Sequence, residues 1–255
     1  MSTQFQNLSS SRGRMPVRPL AQARVLIVGM GGLGCPAALA LAAEGVRHLT
    51  LVDPDRVDLT NLHRQLLHRP QDVGRWKVNS AAEGLLRAFP GLQLESVPLR
   101  LGPEDAHARF AAHDVVVDAT DGTATKLFLS DVAKATGVPL VYGGVLRMQG
   151  QAMAVTPAGP CLRCLYEDAP DPERVPTCAQ AGVLGAMAGL VGALQALLTL
   201  ELLQGGGAEG AMATLHVVDG ARLRGHTLRV ARVEGCPGCA GTVSDAPLEE
   251  LRCLR

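Results

Sequence analysis

The sequence predicts an α/β fold: a Rossmann-like, mostly parallel sheet with helices on both faces, extended by C-terminal antiparallel strands. Short β-branched runs alternate with Ala- and Leu-rich helical patterns over residues 25–142, which is typical of parallel strands joined by helices. A G-x-G-x-x-G loop at residues 29–34 follows the first of these runs and opens the first helical pattern. Further strand patterns lie nearer the C-terminus, and we expect them to pair antiparallel.

Each element follows from its local pattern. Residues 25–28 form an apolar, β-branched run that predicts the first strand, and residues 35–44 are rich in Ala and Leu, which favour a helix. The other predicted helices are 78–88, 103–112 and 126–136. The other predicted strands are 48–52, 94–99, 115–118, 139–142, 150–155, 214–219 and 228–233.

Length and charge limit the possible organisation and partners. The 255 residues are enough for one large domain, which we expect over residues 21–245, with a flexible arm over 1–20 and a tail over 246–255. Basic and acidic residues balance at 24 each, so neither a nucleic acid nor a membrane surface is expected as a partner. The N-terminal region is polar and shows no apolar signal segment, which predicts a cytoplasmic protein.

The segment 181–203 is almost wholly apolar and is long enough to span a membrane. Gln195 and Glu201 interrupt it, however, and such side chains are costly in lipid. Gly185 and Gly189 would let another backbone approach closely. We therefore expect a buried helix that packs between the sheet and a partner subunit.

The glycine loop and the strand after it predict a nucleotide site. Gly31 lets the backbone approach a phosphate, and Gly34 allows close packing of helix on strand. The helix N-terminus adds unpaired N–H groups and a positive dipole end. Asp53 ends the next strand about 20 residues later, where a carboxylate accepts hydrogen bonds from ribose hydroxyls. These features alone fit NAD as well as ATP.

A polar cluster follows Asp53 and is unusual for a plain dinucleotide site. It contains Asn61, Arg64 and Gln65, and Lys77 comes after a turn-like Gly-Arg pair. Arg64 and Lys77 can hold a triphosphate and stabilise the charge that develops as pyrophosphate leaves. A lone Arg or Lys is usually a solvated side chain. The cluster indicates more than that because it follows the glycine loop so closely.

Asp121 lies just past the predicted strand 115–118, at the carboxyl end where open α/β sheets bind their ligands. Its carboxylate can hold Mg²⁺ between phosphates. The alternative is that Asp121 caps the N-terminus of the following helix. We expect the neighbouring Asp118 to make local hydrogen bonds.

Two C-x-x-C pairs predict a metal site. The pairs are Cys161 with Cys164 and Cys236 with Cys239. In a cytosolic chain two such pairs favour a metal over disulfides, and four thiolates form a closed tetrahedral Zn²⁺ site with a structural role. Cys35, at the start of the first helical pattern, is expected simply to fill a small space.

Taken together, the motifs resemble the ThiF/MoeB/HesA family, the bacterial relatives of ubiquitin-activating enzymes, over roughly residues 22–245. The motifs that carry the resemblance are residues 29–34, 53–55, 61–65, 77, 118–121, 142–144, 147, 150–151 and 176–185. The resemblance implies an adenylyltransferase that uses ATP and Mg²⁺ to activate the C-terminal Gly-Gly carboxylate of a small β-grasp sulfur-carrier protein. The implied nucleotide-binding residues are Gly31, Gly32, Gly34, Asp53, Asp55, Thr60, Asn61, Arg64, Gln65, Lys77, Asp121 and Gly122.

The resemblance also implies catalytic roles and partners. The implied catalytic residues are Arg64, Lys77, Asp121 and Cys178. A sulfurtransferase or desulfurase would then convert the activated carrier to a thiocarboxylate for molybdopterin, thiamin or another sulfur-containing metabolite, and the enzyme would be a homodimer. In ThiF-like members a thiol at the position of Cys178 acts covalently, and a thiol near a helix N-terminus can be a nucleophile. In MoeB-like members the equivalent thiol is not required for adenylation, so both interpretations stay open.

Some positions depart from the family pattern and leave alternatives open. Gly122 replaces the usual Asn, Lys126 the usual Arg, and Ala188 a common Pro. In relatives, an arginine from an N-terminal helix reaches the partner's ATP site, whereas this chain has only scattered arginines there: Arg12, Arg14 and Arg18. A non-catalytic partner or scaffold would explain these changes. An NAD(P)-dependent oxidoreductase would explain Asp53 but neither Lys77 nor the cysteine pairs.

Overall fold

The computed structural model describes residues 19–166, 182–207 and 210–240. Its strands are β1 (Arg24–Val28), β2 (His48–Val52), β3 (Gln93–Val97), β4 (Val115–Asp118), β5 (Leu140–Leu146), β6 (Gln149–Val155), β7 (Met212–Asp219) and β8 (Arg224–Ala231). Its α-helices are α1 (Gly34–Ala43), α2 (Lys77–Ala88), α3 (Pro103–Ala111), α4 (Thr123–Thr136) and α5 (Gly185–Leu203). Every predicted helix and strand is therefore present among the described residues.

One sheet contains all of these strands, in the order β3-β2-β1-β4-β5-β6-β7-β8. The pairs from β3 to β5 are parallel, and the pairs from β5 to β8 are antiparallel, which confirms the predicted division. Val28 at the end of β1 lies opposite Val52 on one side and Asp118 on the other. The carboxyl ends of β1, β2 and β4 therefore meet at one edge, where such sheets bind ligands.

Helices cover both faces of the parallel half. Helices α1, α2 and α5 pack on one face, in the same cluster as Val25 and Ile27 of β1. Helices α3 and α4 pack on the other face, in the same cluster as Leu26 and Val28. Helix α5 is long and apolar enough to cross a membrane by composition alone. However, 56% of its most apolar 18-residue stretch is buried within the fold. A Cβ atom on Gly192 would collide with the carbonyl oxygen of Leu33 at the start of α1, so the glycine permits close helix contact. These contacts confirm that α5 packs within the fold, and the predicted contact with a partner subunit stays a prediction.

Some boundaries differ from the predicted ones. β5 continues to Leu146 because its second half pairs with β6 in a hairpin, which the run 139–142 did not indicate. β8 begins at Arg224, ahead of the predicted residue 228, because its polar first half pairs with the end of β7. Residues 1–18 and 241–255 lie outside the described part of the chain, so the predicted arm, tail and domain limits stay predictions.

Candidate active site

The glycine loop joins β1 to α1 and has the geometry that the sequence predicts. Gly29 has φ of 98°, and a Cβ there would lie 2.6 Å from the carbonyl oxygen of Ala119. A Cβ on Gly34 would collide with the carbonyl oxygen of Gly29. By contrast, a Cβ on Gly31 would lie 3.5 Å from its nearest neighbour, the amide of Gln65. The loop is therefore tightly packed at Gly29 and Gly34 and more open at Gly31, where a phosphate is expected.

Asp53 lies at the carboxyl end of β2 and holds the glycine loop. Its carboxylate accepts hydrogen bonds from the N–H groups of Met30 at 2.6 Å and Asp55 at 2.8 Å. Burial raises the pKa of Asp53, and the nearby charge of Lys77 and these hydrogen bonds act in the opposite direction. A carboxylate has about four acceptor positions, so the predicted ribose contact is compatible with this loop-holding role.

Lys77 is the first residue of α2 and lies at the same edge of the sheet. Its Nζ lies 2.7 Å from the carboxylate of Asp55, and its side chain is 8% exposed. The backbone N–H of Lys77 also donates to the carbonyl of Asp55. This double connection fixes a positive charge close to Asp53, as the predicted phosphate contact requires.

The connection after β2 is ordered by its own side chains. Asp58 accepts a hydrogen bond from the N–H of Thr60 at 2.8 Å and begins a short 3₁₀ helix, Leu59–Asn61. The guanidinium of Arg64 donates to Oδ1 of Asn61 at 2.7 Å. Asn61 and Arg64 therefore act as one preorganised unit, because the neutral amide of Asn61 orients the guanidinium without neutralising its charge.

Gln65 is 3% exposed and lies beside Gly31. Its Oε1 is buried and accepts no hydrogen bond from the residues that the structure describes. An unpaired buried amide oxygen is unfavourable, so its presence beside the loop indicates a place for a ligand donor. This observation supports the predicted nucleotide contact of Gln65.

His68 was not predicted from the sequence as part of this site. Its Nε2 lies 2.9 Å from the carbonyl oxygen of Met30, and its Nδ1 lies 2.9 Å from the hydroxyl of Ser80. Because a carbonyl only accepts, Nε2 carries the hydrogen and the neutral ring accepts from Ser80. Burial lowers the pKa of His68, which agrees with a neutral ring. With Asp53 on its N–H and His68 on its carbonyl, Met30 is fixed from both sides.

A buried ion pair between Lys126 and Asp118 lies at the carboxyl end of β4. Nζ of Lys126 lies 3.2 Å from the carboxylate of Asp118 and donates to the carbonyl of Gly143 at 2.6 Å. Asp118 also accepts from the N–H and the hydroxyl of Thr120, which confirms its predicted local hydrogen bonds. Lys126 thus connects β4 to β5 through α4.

Asp121 is exposed at the same edge, between β4 and α4. The N-cap position of α4 is Gly122, without a side-chain hydrogen bond, so Asp121 is not the helix cap that was its alternative interpretation. The position of Asp121, beyond the carboxyl end of a parallel strand, is where a metal-binding carboxylate is expected.

The two C-x-x-C pairs meet beside α4. Their sulfur atoms all lie within 4.8 Å of one another, with 3.6 Å between Cys161 and Cys236 and 3.4 Å between Cys164 and Cys239. Tetrahedral zinc with about 2.3 Å bonds separates its sulfur ligands by about 3.8 Å. The donor set and its spacing therefore fit the predicted structural Zn²⁺.

Other cysteines have different surroundings. Cys35 is fully buried in α1, and burial raises the pKa of its thiol to about 12, which confirms its packing role. Cys178 lies outside the described residues, which omit 167–181, so its predicted role as a nucleophile stays a prediction.

The sequence model of the ThiF family matches residues 4–238, nearly the whole chain. The chain belongs to the ThiF family. This ThiF-family chain is 45% identical over 184 residues to the SAMP-activating enzyme E1 of Haloferax volcanii, covering 72% of this chain and 68% of that protein. It is 43% identical over 230 residues to the adenylyltransferase and sulfurtransferase MOCS3 of Anopheles gambiae, covering 89% of this chain and 51% of the relative.

Some ThiF-family relatives are much longer than the matched region. The chain spans 43% of the adenylyltransferase and sulfurtransferase uba4 of Aspergillus terreus, at 43% identity. Among solved structures, Escherichia coli MccB with ATP superposes with a TM-score of 0.72 at 19% identity, covering 87% of this chain and 68% of MccB. PaaA gives a TM-score of 0.61 at 22% identity, covering 84% of this chain and 66% of PaaA. These structural matches show that the chain shares its fold with both proteins.

Proposed function

We propose that this chain transfers AMP from ATP to the C-terminal Gly-Gly carboxylate of a small β-grasp sulfur-carrier protein. The observation that carries the proposal is the edge beside the glycine loop, where the ammonium of Lys77, the carboxylate of Asp53 and the unpaired oxygen of Gln65 converge. It lies in a chain 45% identical to an enzyme named for activating SAMP. MOCS3 and uba4 are likewise named adenylyltransferases.

ATP would bind across the carboxyl ends of β1, β2 and β4. Asp53 accepts hydrogen bonds from the ribose, and the backbone around Gly31 accommodates the phosphates. Arg64 and Lys77 neutralise the phosphate oxygens and stabilise the pyrophosphate as it leaves. The other residues proposed to line this site are Gly32, Gly34, Asp55, Thr60, Asn61, Gln65, Asp121 and Gly122.

The carrier supplies the nucleophile. A carboxylate oxygen attacks the α-phosphorus of ATP, the new C–O–P linkage forms, and the bond from the α-phosphorus to the bridging oxygen breaks towards pyrophosphate. A terminal carboxylate is already ionised near pH 7, so no general base is required. Catalysis therefore consists mainly of positioning and charge stabilisation, which fits a site with fixed cations.

Asp121 is proposed to bind Mg²⁺ together with the phosphates. When bound, the ion would withdraw charge from the phosphate oxygens as pyrophosphate departs. The exposed carboxylate next to the N-terminus of α4 suits this role, because oxygen ligands at a phosphate site are what Mg²⁺ prefers.

We assign Cys178 to the later sulfur step rather than to adenylylation. A persulfide on a sulfurtransferase or desulfurase would displace AMP from the acyl adenylate and form an acyl disulfide. The thiol of Cys178 would then cleave that acyl disulfide, which releases the thiocarboxylate for molybdopterin, thiamin or another sulfur-containing metabolite and leaves a disulfide between Cys178 and the donor. Carriers mixed with the Cys178→Ala variant should still become adenylylated but should lose thiocarboxylate formation. Unchanged sulfur transfer would remove this role.

The assembly and location are part of the proposal. We propose a cytoplasmic location and a homodimeric assembly. The homodimer is proposed because α5 exposes an apolar stripe that includes Leu190 and Leu197, which are 48% and 60% exposed. The cysteine cluster would hold structural Zn²⁺. Neither a nucleic acid nor a membrane is proposed as a partner, since the net charge is zero.

Carrier-dependent exchange of labelled pyrophosphate into ATP tests the proposal. With a panel of Gly-Gly-ended β-grasp proteins, the wild type should catalyse exchange, and Lys77→Ala should reduce it by at least about 100-fold because a phosphate-binding charge is lost. Arg56→Ala is the matched control: Arg56 is exposed, stacks on Trp76 and lies next to Asp55, so its loss should change the rate less than about threefold. Absence of exchange with every carrier would contradict the proposal.

A further inference from the structure

The chain has two tyrosines, and the fold brings both to one place. Tyr142 lies on β5 and Tyr166 follows the first cysteine pair, with their rings edge to face and their centroids 6.4 Å apart. The amide of Gln151 on β6 lies between them, with Nε2 2.6 Å from the Tyr142 hydroxyl and also hydrogen-bonded to Tyr166. We call these three side chains the tyrosine–glutamine cluster. The reaction described above uses none of them.

Hydrogen bonds inside the cluster leave two groups for a ligand. The amide nitrogen of Gln151 has two hydrogens, and the two phenol oxygens accept both. Each phenol keeps its own hydrogen, and since the hydroxyls are 3.4 Å apart, one can donate to the other. Among the residues that the structure describes, none pairs with the remaining phenol O–H donor or with the Oε1 acceptor of Gln151. A peptide unit offers the complementary carbonyl acceptor and N–H donor.

The cluster lies one strand away from the proposed ATP site. Tyr142 is the register partner of Asp118 across β5 and β4, and adjacent strands are about 4.8 Å apart. Nζ of Lys126 lies 5.2 Å from the centre of the Tyr142 ring and 3.2 Å from Asp118. A group bound at the cluster is therefore next to the strand that leads to Asp121.

Gly144 shapes the backbone beside the cluster. A Cβ there would lie 2.8 Å from the Tyr142 hydroxyl and 3.4 Å from its ring, so any side chain would displace the tyrosine. Its absence keeps the hydroxyl in place beside the strand. A segment without side chains, such as Gly-Gly, would bring its backbone to this hydroxyl with the least steric conflict.

We propose that the tyrosine–glutamine cluster binds the peptide backbone of the carrier's C-terminal Gly-Gly segment and thereby aligns its carboxylate. This subsite rests on the proposed function. The first cysteine pair positions one wall, because the N–H of Tyr166 donates to the carbonyl of Leu162, which lies between Cys161 and Cys164. Bound zinc would therefore fix Tyr166 as well as the cysteine loops.

Fluorine NMR tests binding without any need for activity. Full-length zinc-loaded protein labelled with 3-fluorotyrosine reports only on Tyr142 and Tyr166, since these are the only tyrosines in the chain. A short synthetic peptide that ends in Gly-Gly with a free carboxylate should shift both resonances saturably, and the same peptide ending in Ala-Ala should not. Resonances that do not respond to the Gly-Gly peptide, or that respond equally to both, would overturn the subsite.

Variants test the subsite in the reaction. Gln151→Leu and Tyr166→Phe should each raise KM for the carrier about 10-fold, equivalent to about 1.4 kcal/mol, and leave KM for ATP within about twofold. Gln149→Leu is the matched control, because Gln149 is exposed two positions along the same face of β6. Zinc content and thermal unfolding establish that each variant is folded.

The possible outcomes separate the two proposals. An unchanged carrier KM in Gln151→Leu, or an equal rise in Gln149→Leu, would overturn the subsite and leave the adenylylation activity standing. Absence of exchange in the wild type with every carrier would remove the proposed function, and the fluorine titration would still decide whether the cluster binds a Gly-Gly peptide.

Discussion

At the residue scale, the glycine loop is fixed by side chains that are distant in sequence. Asp53 binds the N–H of Met30, and His68 binds its carbonyl. The place of Asp53 at this edge was predictable because a carboxylate at the end of the second strand has a fixed spacing from the loop, but its bond to the Met30 N–H was not. His68 was not, because its partner Ser80 becomes its neighbour only when α2 folds against the connection. One histidine among 7 carries no such spacing.

His68 predicts a pH dependence of stability. Burial lowers its pKa below the ordinary value of 6.5, so the unfolded chain binds its proton first as the pH falls. This contribution to stability is present above pH 6.5 and is lost below it, down to the folded-state pKa. His68→Asn should therefore reduce the loss of thermal stability between about pH 7.5 and about pH 5.5.

The comparison uses the difference between the two melting temperatures, since the substitution also removes hydrogen bonds. His113 has its pKa lowered by burial too and should retain its own share of the acid sensitivity. His107→Asn, at an exposed position of α3, is the control and should melt like the wild type at both pH values. Equal acid sensitivity in His68→Asn and the wild type would contradict the assigned neutral ring.

At the element scale, α5 shows what an apolar pattern can and cannot predict. Its length and composition indicated burial, but the pattern could not indicate that Gln195 joins two strands. Nε2 of Gln195 donates to the carbonyls of Asp118 and Val141, at 2.7 and 3.1 Å. Gly143 permits this, because a Cβ there would lie 2.6 Å from the amide nitrogen. Such a contact depends on which helix covers which strand, and no local periodicity encodes it.

The exposed stripe of α5 predicts a dimer. Leu190 and Leu197 are seven positions apart, on one face of the helix, and exposing them to water is unfavourable. The wild type should therefore be a dimer by light scattering at about 10 µM, and Leu197→Glu should shift it to the monomer because a charge would be buried at the interface. Leu86→Glu, at a 41% exposed position of α2, is the control and should stay dimeric. A monomeric wild type would refute the interface.

At the scale of the whole molecule, α4 connects two sites that the sequence presents as separate motifs. Lys126 near its start holds Asp118, and Asp131 near its end forms a buried ion pair with Arg163 of the first cysteine pair's loop, at 2.8 Å. Lys134 donates to three carbonyls of the loop before Cys161, those of Thr156, Pro157 and Gly159. The motifs were predictable one by one, whereas this connection depends on the fold.

Zinc content and thermal stability test the metal site at one end of this connection. Purified protein should contain about one zinc ion per chain, and Cys236→Ser should lose most of it and melt at least about 5 °C lower, because a structural site contributes to folding. Cys253→Ser, in the tail, is the control and should keep its metal. A fully folded wild type without metal, by elemental analysis, would refute the zinc site.

The central claim is that the chain attaches AMP to a carrier's terminal carboxylate, and intact-mass spectrometry tests it most directly. After incubation with ATP and Mg²⁺, a Gly-Gly-ended carrier should gain the mass of one adenylate. The same carrier without its last two residues should gain none. Hydroxylamine should remove the adduct, as expected of an acyl phosphate. ATP consumption without any adduct on the full-length carrier, or an equal adduct on the truncated one, would contradict the account.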